Sequence, residues 1–184
     1  MQQAAKLANM KQLLSNIILI AIIVSGLSAG LSFSHVLEIP GKHSLTALEF
    51  IHVQHSFYGG YAVFGGIAWV FCSLVGLIAG FVFYKTKKTL AVYSFIASGV
   101  FIICLIIFAF FLNKYNQMIA SWSTVVPANW ETIRNHWELC HTVVFVISTV
   151  SFIAFTLAYS VIKSERFFHI KNIKTSSVVI NPLN

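Results

Sequence analysis

Charge is scarce in this chain of 184 residues: 9% of them are charged, aspartate is absent, and the five acidic residues are all glutamates. With 58% of residues hydrophobic, the composition lies outside that of a soluble domain and points to a membrane protein. Cysteine is nearly missing too. Cys72, Cys104 and Cys140 are odd in number and fall inside or beside apolar segments, which argues against a disulfide framework and for thiols acting as small apolar groups. No Cys-x-x-Cys-His occurs, so haem attached through cysteines is excluded. The chain also has no internal repeat and no low-complexity tract.

What it does have is long apolar runs. Residues 17–37, 59–84, 90–112 and 139–162 each approach or exceed the roughly 20 residues that cross a bilayer as a helix. Short connections between them predict an all-α, integral-membrane, up-and-down four-helix bundle over 17–163, with an N-terminal segment 1–16 and a polar, basic tail 164–184. The apolar character of the first run continues through Phe33 to Leu37, which suits a spanning helix better than a signal peptide. Lys6, Lys11, Lys85, Lys87, Lys88, Lys163, Arg166, Lys171 and Lys174 fall on one side of this topology, and Lys42, Lys114 and Arg134 on the other. Both termini and the central connection are therefore predicted to be cytoplasmic. Topology and anionic lipid then account for the net charge of +7, and no nucleic-acid partner is needed. Gly26 with Gly30, and Gly76 with Gly80, are small-xxx-small pairs that allow close helix approach.

The polar residues are unevenly placed. His35, His43, His52, His55, His136 and His141, with Glu38, Glu49, Glu131 and Glu138, all belong to the outer half. At ~1.5 Å per residue from the cytoplasmic edge, His35 lies at ~27 Å, Glu38 at ~31 Å, His141 at ~33 Å, Asn113 at ~34 Å, Glu138 at ~37 Å and Tyr58 at ~40 Å, one layer drawn from all four helices. On the last helix Trp130, Arg134, Trp137, Glu138 and His141 share a face, and on the first Ser25, Ser28, Ser32 and His35 do so. Polar groups at membrane depth face the bundle interior or a cavity, so a polar pocket is expected at the outer mouth. "TALE" (46–49) is a capping box that starts the second helix, which is expected to continue through Gly59 and Gly60. His52 and His55 are read as its solvent-facing side, and His43 has no assigned role.

Several chemistries fit such a layer. A Glu-x-x-His pair can be a network that only fixes helix register, and Tyr58, Trp130 and Trp137 can be an interfacial aromatic belt. A metal-carboxylate bundle uses two Glu-x-x-His motifs, but here His35-x-x-Glu38 is inverted and the third helix supplies only Asn113 and Asn116. His35 and His141 could ligate a non-covalent haem or a transition metal. A histidine paired with a glutamate is also a competent general base without any metal, and Arg134 can stabilise an oxyanion.

"HVLEIPGK" (35–42), "VQHSFYGG" (53–60), "NWETIRNHWELCH" (129–141) and "ASW" (120–122) resemble the signature segments of a bacterial four-helix membrane protein family related to the fungal anthrone oxygenases. The resemblance covers most of residues 26–157, although the last motif has Glu-x-x-His where the family spacing has one residue more. It implies an enzyme of the bacterial inner membrane that acts on a fused-ring phenolic ketone with dioxygen and without a redox cofactor or metal. Carried over, it makes His35, Glu38, Arg134, Glu138 and His141 the catalytic candidates, with Tyr58 and Trp137 around a hydrophobic aromatic small molecule; Trp130 and Asn113 join them from the helix face and the depth read above. Membrane lipid is the other expected partner, and a homo-oligomer stays open.

Overall fold

The computed structural model describes residues 2–179, and the protein is helical throughout that range apart from short connections. The first helix, α1 (Gln2–Leu37), begins well before the apolar run at residue 17. A four-residue turn of helix, α2 (Ile39–Lys42), follows after Glu38. The break is chemical: Pro40 in the first turn of α2 has no N–H to continue the ladder.

The second span begins later than the capping box suggests. Thr46 and Glu49 form that box at the start of α3 (Ala47–Phe57), with Glu49 Oε2 accepting from the Thr46 N–H at 2.8 Å. The helix then stops at Tyr58, whose φ of −95° and ψ of 0° are not helical, and restarts as α4 (Gly59–Phe83). Two successive glycines at the restart weaken helix continuity at this point. The expectation of one helix running through Gly59 and Gly60 is thereby corrected.

The third span is longer than residues 90–112. It comprises α5 (Lys88–Ile107), a π-helical turn (Phe108–Leu112) and α6 (Asn113–Ala120) in one continuous run. The last helix, α7 (Trp130–Val179), starts nine residues before 139 and runs through most of the segment read as a tail; residues 180–184 lie outside the described residues. Among the described residues four helical runs are long and apolar enough to cross a membrane: Gln12–Lys42, Gly59–Phe83, Lys88–Ala120 and Trp130–Ser164.

α1 packs on α4 and α7, and α5 packs on the same two helices. The outward surface is apolar at helical spacing, as at Val63, Ile67, Val70, Leu74, Ile78 and Phe81 of α4, a face suited to lipid rather than water. Inside, the serine stripe of α1 is buried as its phase requires, at Ser25, Ser28 and Ser32. Gly76 and Gly80 set the α4–α5 approach: a Cβ on Gly76 would stand 2.7 Å from the Ser94 carbonyl oxygen, and one on Gly80 would stand 2.5 Å from the Phe95 ring. The pair at Gly26 and Gly30 is looser, because a Cβ on Gly30 meets nothing within 4 Å.

Candidate functional site

At the end of the four long helices where α1 gives way to α2 and α7 begins lie two linked networks. Around the α1–α2 break, the Lys42 ammonium lies 2.8 Å from Glu38 Oε2, an i, i+4 pair that runs from the residue at the break to the end of α2. Lys42 is 3% exposed and its Nζ stands 4.8 Å from the ring centroids of both Tyr58 and Trp137, so the charge is held by a carboxylate and two π faces. The Tyr58 hydroxyl donates a short hydrogen bond to the same Glu38 oxygen. Burial, reinforced by that carboxylate, raises the Tyr58 phenol above its ordinary range and keeps it a donor. His35 Nδ1 lies 3.5 Å from Lys42 Nζ and 3.9 Å from Glu38. Lys42 is thus closer than His35 to the carboxylate expected to activate that ring.

The second network joins the loop after α2 to α7. His43 donates from Nε2 to Glu138 Oε2 at 2.7 Å, and Arg134 donates from Nη1 to the Lys42 carbonyl at 3.3 Å. The Arg134 guanidinium also lies 4.9 Å from the Trp130 ring centroid, while Trp130 packs on Phe50 of α3. Arg134 and Glu138 are both 4% exposed. They clamp the α2 loop to the bundle rather than face an open space.

Beneath these networks lies an open-sided cavity of about 400 Å³ lined by α1, α3, α4, the π turn, α6 and α7. Its inner part is apolar, with Phe108, Leu112 and Trp69; Ser28, Ser32, His35 and His141 line its α1 and α7 side. The π turn supplies Phe108 and Leu112, and a turn of this kind, with its extra residue, often marks functional sites. Two indoles are fixed by their ring N–H groups, Trp69 donating to Ser28 Oγ and Trp137 to Asn116 Oδ1, each at 2.8 Å. Trp137 stands edge-on to the His35 ring at 5.0 Å and to the His141 ring at 4.4 Å between centroids.

Of the nine residues singled out from the sequence, His35, His141, Tyr58 and Trp137 line the cavity, whereas Glu38, Glu138, Arg134, Trp130 and Asn113 do not. Asn116 takes the place expected of Asn113, because the cavity face of this helix runs through Phe108, Leu112 and Asn116 at i, i+4 spacing. Glu38 lies closer to Lys42 than to His35, and Glu138 bonds to His43. His35 and His141 do meet, with ring centroids 4.1 Å apart and planes at 37°. Two axial imidazoles stand on opposite faces of a haem, and rings in this contact leave no gap for one. Among the described residues no group of three or more His, Cys, Asp or Glu converges to hold a metal ion.

Sequence reasoning missed Lys42, His43, Gln54 and His55. The acid-first i, i+4 spacing of Glu38 and Lys42 was a usable signal. Gln54 shares the buried face of α3 with Phe50 and Ile51, and a polar residue in an apolar phase was another. His55 is exposed but lines the cavity mouth, where its Nε2 donates to the Ile119 carbonyl at 3.3 Å. Compared with known protein families, curated proteins and solved structures, the chain matches no family model, no curated protein and no solved structure.

Proposed function

We propose that the chain is a multi-pass membrane protein, an up-and-down bundle with both termini cytoplasmic, that binds a planar phenolic or quinone-like molecule in its outer cavity. The observation that carries the reading is the cavity itself. Its volume falls in the range of small-molecule sites, roughly 300–1,000 Å³, and its walls combine fixed aromatic rings with a few convergent polar groups. Flat rings stack on such walls with centroids roughly 4.5–7 Å apart. The orientation is supported by charge: of the three outer cations, Lys42 and Arg134 are buried in the networks, and Lys114 alone is exposed.

For the oxygenase chemistry implied by the resemblance, the available base is His141. Its ring faces the cavity and carries no carboxylate, whereas His35 faces Lys42 through Nδ1. His141 would take the acidic C–H proton of a fused-ring ketone, and the carbanion would then react with dioxygen as the second substrate. The test is saturable binding of anthrone to purified protein, read by quenching of Trp69 and Trp137, and abolished by Ala62→Trp at the cavity mouth. Oxygen uptake in the same sample tests the catalytic step. Absence of saturable binding, or full binding to Ala62→Trp, would remove the cavity from the account.

A further inference from the structure

Two groups on the cavity wall can offer donors to a ligand. Gln54 is 8% exposed and lines the cavity, and its amide nitrogen is buried without an acceptor. A buried amide donor left unmade is costly, so this one is held for a partner from outside the protein.

His35 is the second group. An ammonium has three donors and no acceptor, so Nδ1 of His35, at 3.5 Å from Lys42 Nζ, must accept. The neutral ring then carries its hydrogen on Nε2, away from the Lys42 contact. Lys42, itself held by Glu38, fixes the tautomer of a histidine that lines the cavity.

We infer that Gln54 and His35 are paired donors that select the dione form of a planar ligand over its diol. The inference rests on the cavity reading above and adds the oxidation state that the cavity holds. A carbonyl oxygen offers only lone pairs and satisfies a donor directly. A hydroxyl brings its own hydrogen, for which neither of these two donors is a partner. A site whose buried polar groups are matched to one form rejects the form that leaves them unpaired.

The test is equilibrium dialysis of the intact protein, under argon, with 1,4-naphthoquinone and with 1,4-dihydroxynaphthalene. The dione should bind about tenfold more tightly than the diol, the scale of one or two hydrogen bonds gained. Gln54→Glu, which replaces the donor with an acceptor, should erase or invert that ratio, and Gln54→Met should shrink it. Equal binding, or tighter binding of the diol by the unmodified protein, overturns the donor assignment while leaving the cavity reading in place. Saturable binding of neither compound overturns both. An unchanged ratio in a Gln54→Met protein of undiminished helical circular dichroism removes Gln54 from the selection.

Discussion

His43 donates its Nε2–H to Glu138 at 2.7 Å, joining residues 95 positions apart and tying the loop after α2 to α7. Glu138 is 4% exposed, and its second oxygen, Oε1, has no partner among the described residues. His43 is the more exposed member, with a side chain 43% exposed. Removing His43 leaves a buried carboxylate without its donor, whereas replacing the carboxylate by an amide removes the charge itself. His43→Ala should therefore destabilise more than Glu138→Gln, by about 1–3 kcal/mol for the former, when thermal unfolding is followed in detergent. A larger loss in Glu138→Gln would show that the carboxylate is not held by this bond.

Lys42 makes a sharper spectroscopic prediction. In the unmodified protein ¹⁵N shifts should report His35 as the Nε2–H tautomer, with Nδ1 unprotonated. Lys42→Met keeps the length of the side chain against Tyr58 and Trp137 but removes the donor. The His35 tautomer should then become mixed. Lys42→Met and Glu38→Gln should also be non-additive, because each breaks the same 2.8 Å pair, with a coupling of about 0.5–3 kcal/mol. Full additivity would mean that the pair is not energetically joined.

The capping box of α3 carries the pH dependence. Hydrogen bonds from the side chain and the backbone N–H of Thr46 hold the Glu49 carboxyl below its ordinary value. A depressed folded-state value means stabilisation that is fully present above the unfolded carboxylate value of about 4.3 and lost as pH falls through the folded one. Hydrogen-exchange protection of the first turn of α3 should accordingly fall on acidification from pH 6 to below 4. Glu49→Gln should flatten that dependence. A protection profile that ignores both changes would leave the box without a role in holding α3.

These outcomes turn on contacts of unequal legibility in the sequence. Helical phase and depth placed His35, Tyr58, Trp137 and His141 together, since both quantities follow from a regular rise and turn. Those same rules suggested His35 with Glu38 and Glu138 with His141, because i, i+3 neighbours share a face. The partners that intervene, Lys42 and His43, come from a turn whose direction is set by Pro40 and by local hydrogen bonds, and no hydrophobic period encodes that direction. Arg134 shows the other failure. Its phase was right and its burial follows, but a guanidinium facing inward finds a backbone carbonyl as readily as a ligand, and only the fold decides between them. The helix stop at Tyr58 was hidden because a capping box announces a start and carries no information about length.

Glycine spacing tests the packing below the site, where sequence alone could not rank the two pairs. Gly76 and Gly80 face Ser94, Ser98 and Phe95 of α5, and a methyl at Gly76 would meet the Ser94 carbonyl oxygen, part of a backbone with little freedom to yield. At Gly80 the obstacle is the Phe95 ring, itself packed against Phe81 at 5.1 Å between centroids, so its retreat is also hindered. Gly30 has open space, and a methyl there replaces the least favourable ordinary helix residue with the most favourable. Gly76→Ala should therefore cost about 1–3 kcal/mol through overpacking, with Gly80→Ala also destabilising, while Gly30→Ala should be neutral or stabilising by up to about 1 kcal/mol. Unfolding of the three variants in one detergent gives the ranking. Because α4 carries Tyr61, Gly65 and Trp69 of the cavity wall, Gly76→Ala should also weaken ligand binding, and Gly30→Ala should not. A Gly30→Ala protein less stable than Gly76→Ala would mean that the close contact lies between α1 and its neighbours and not between α4 and α5.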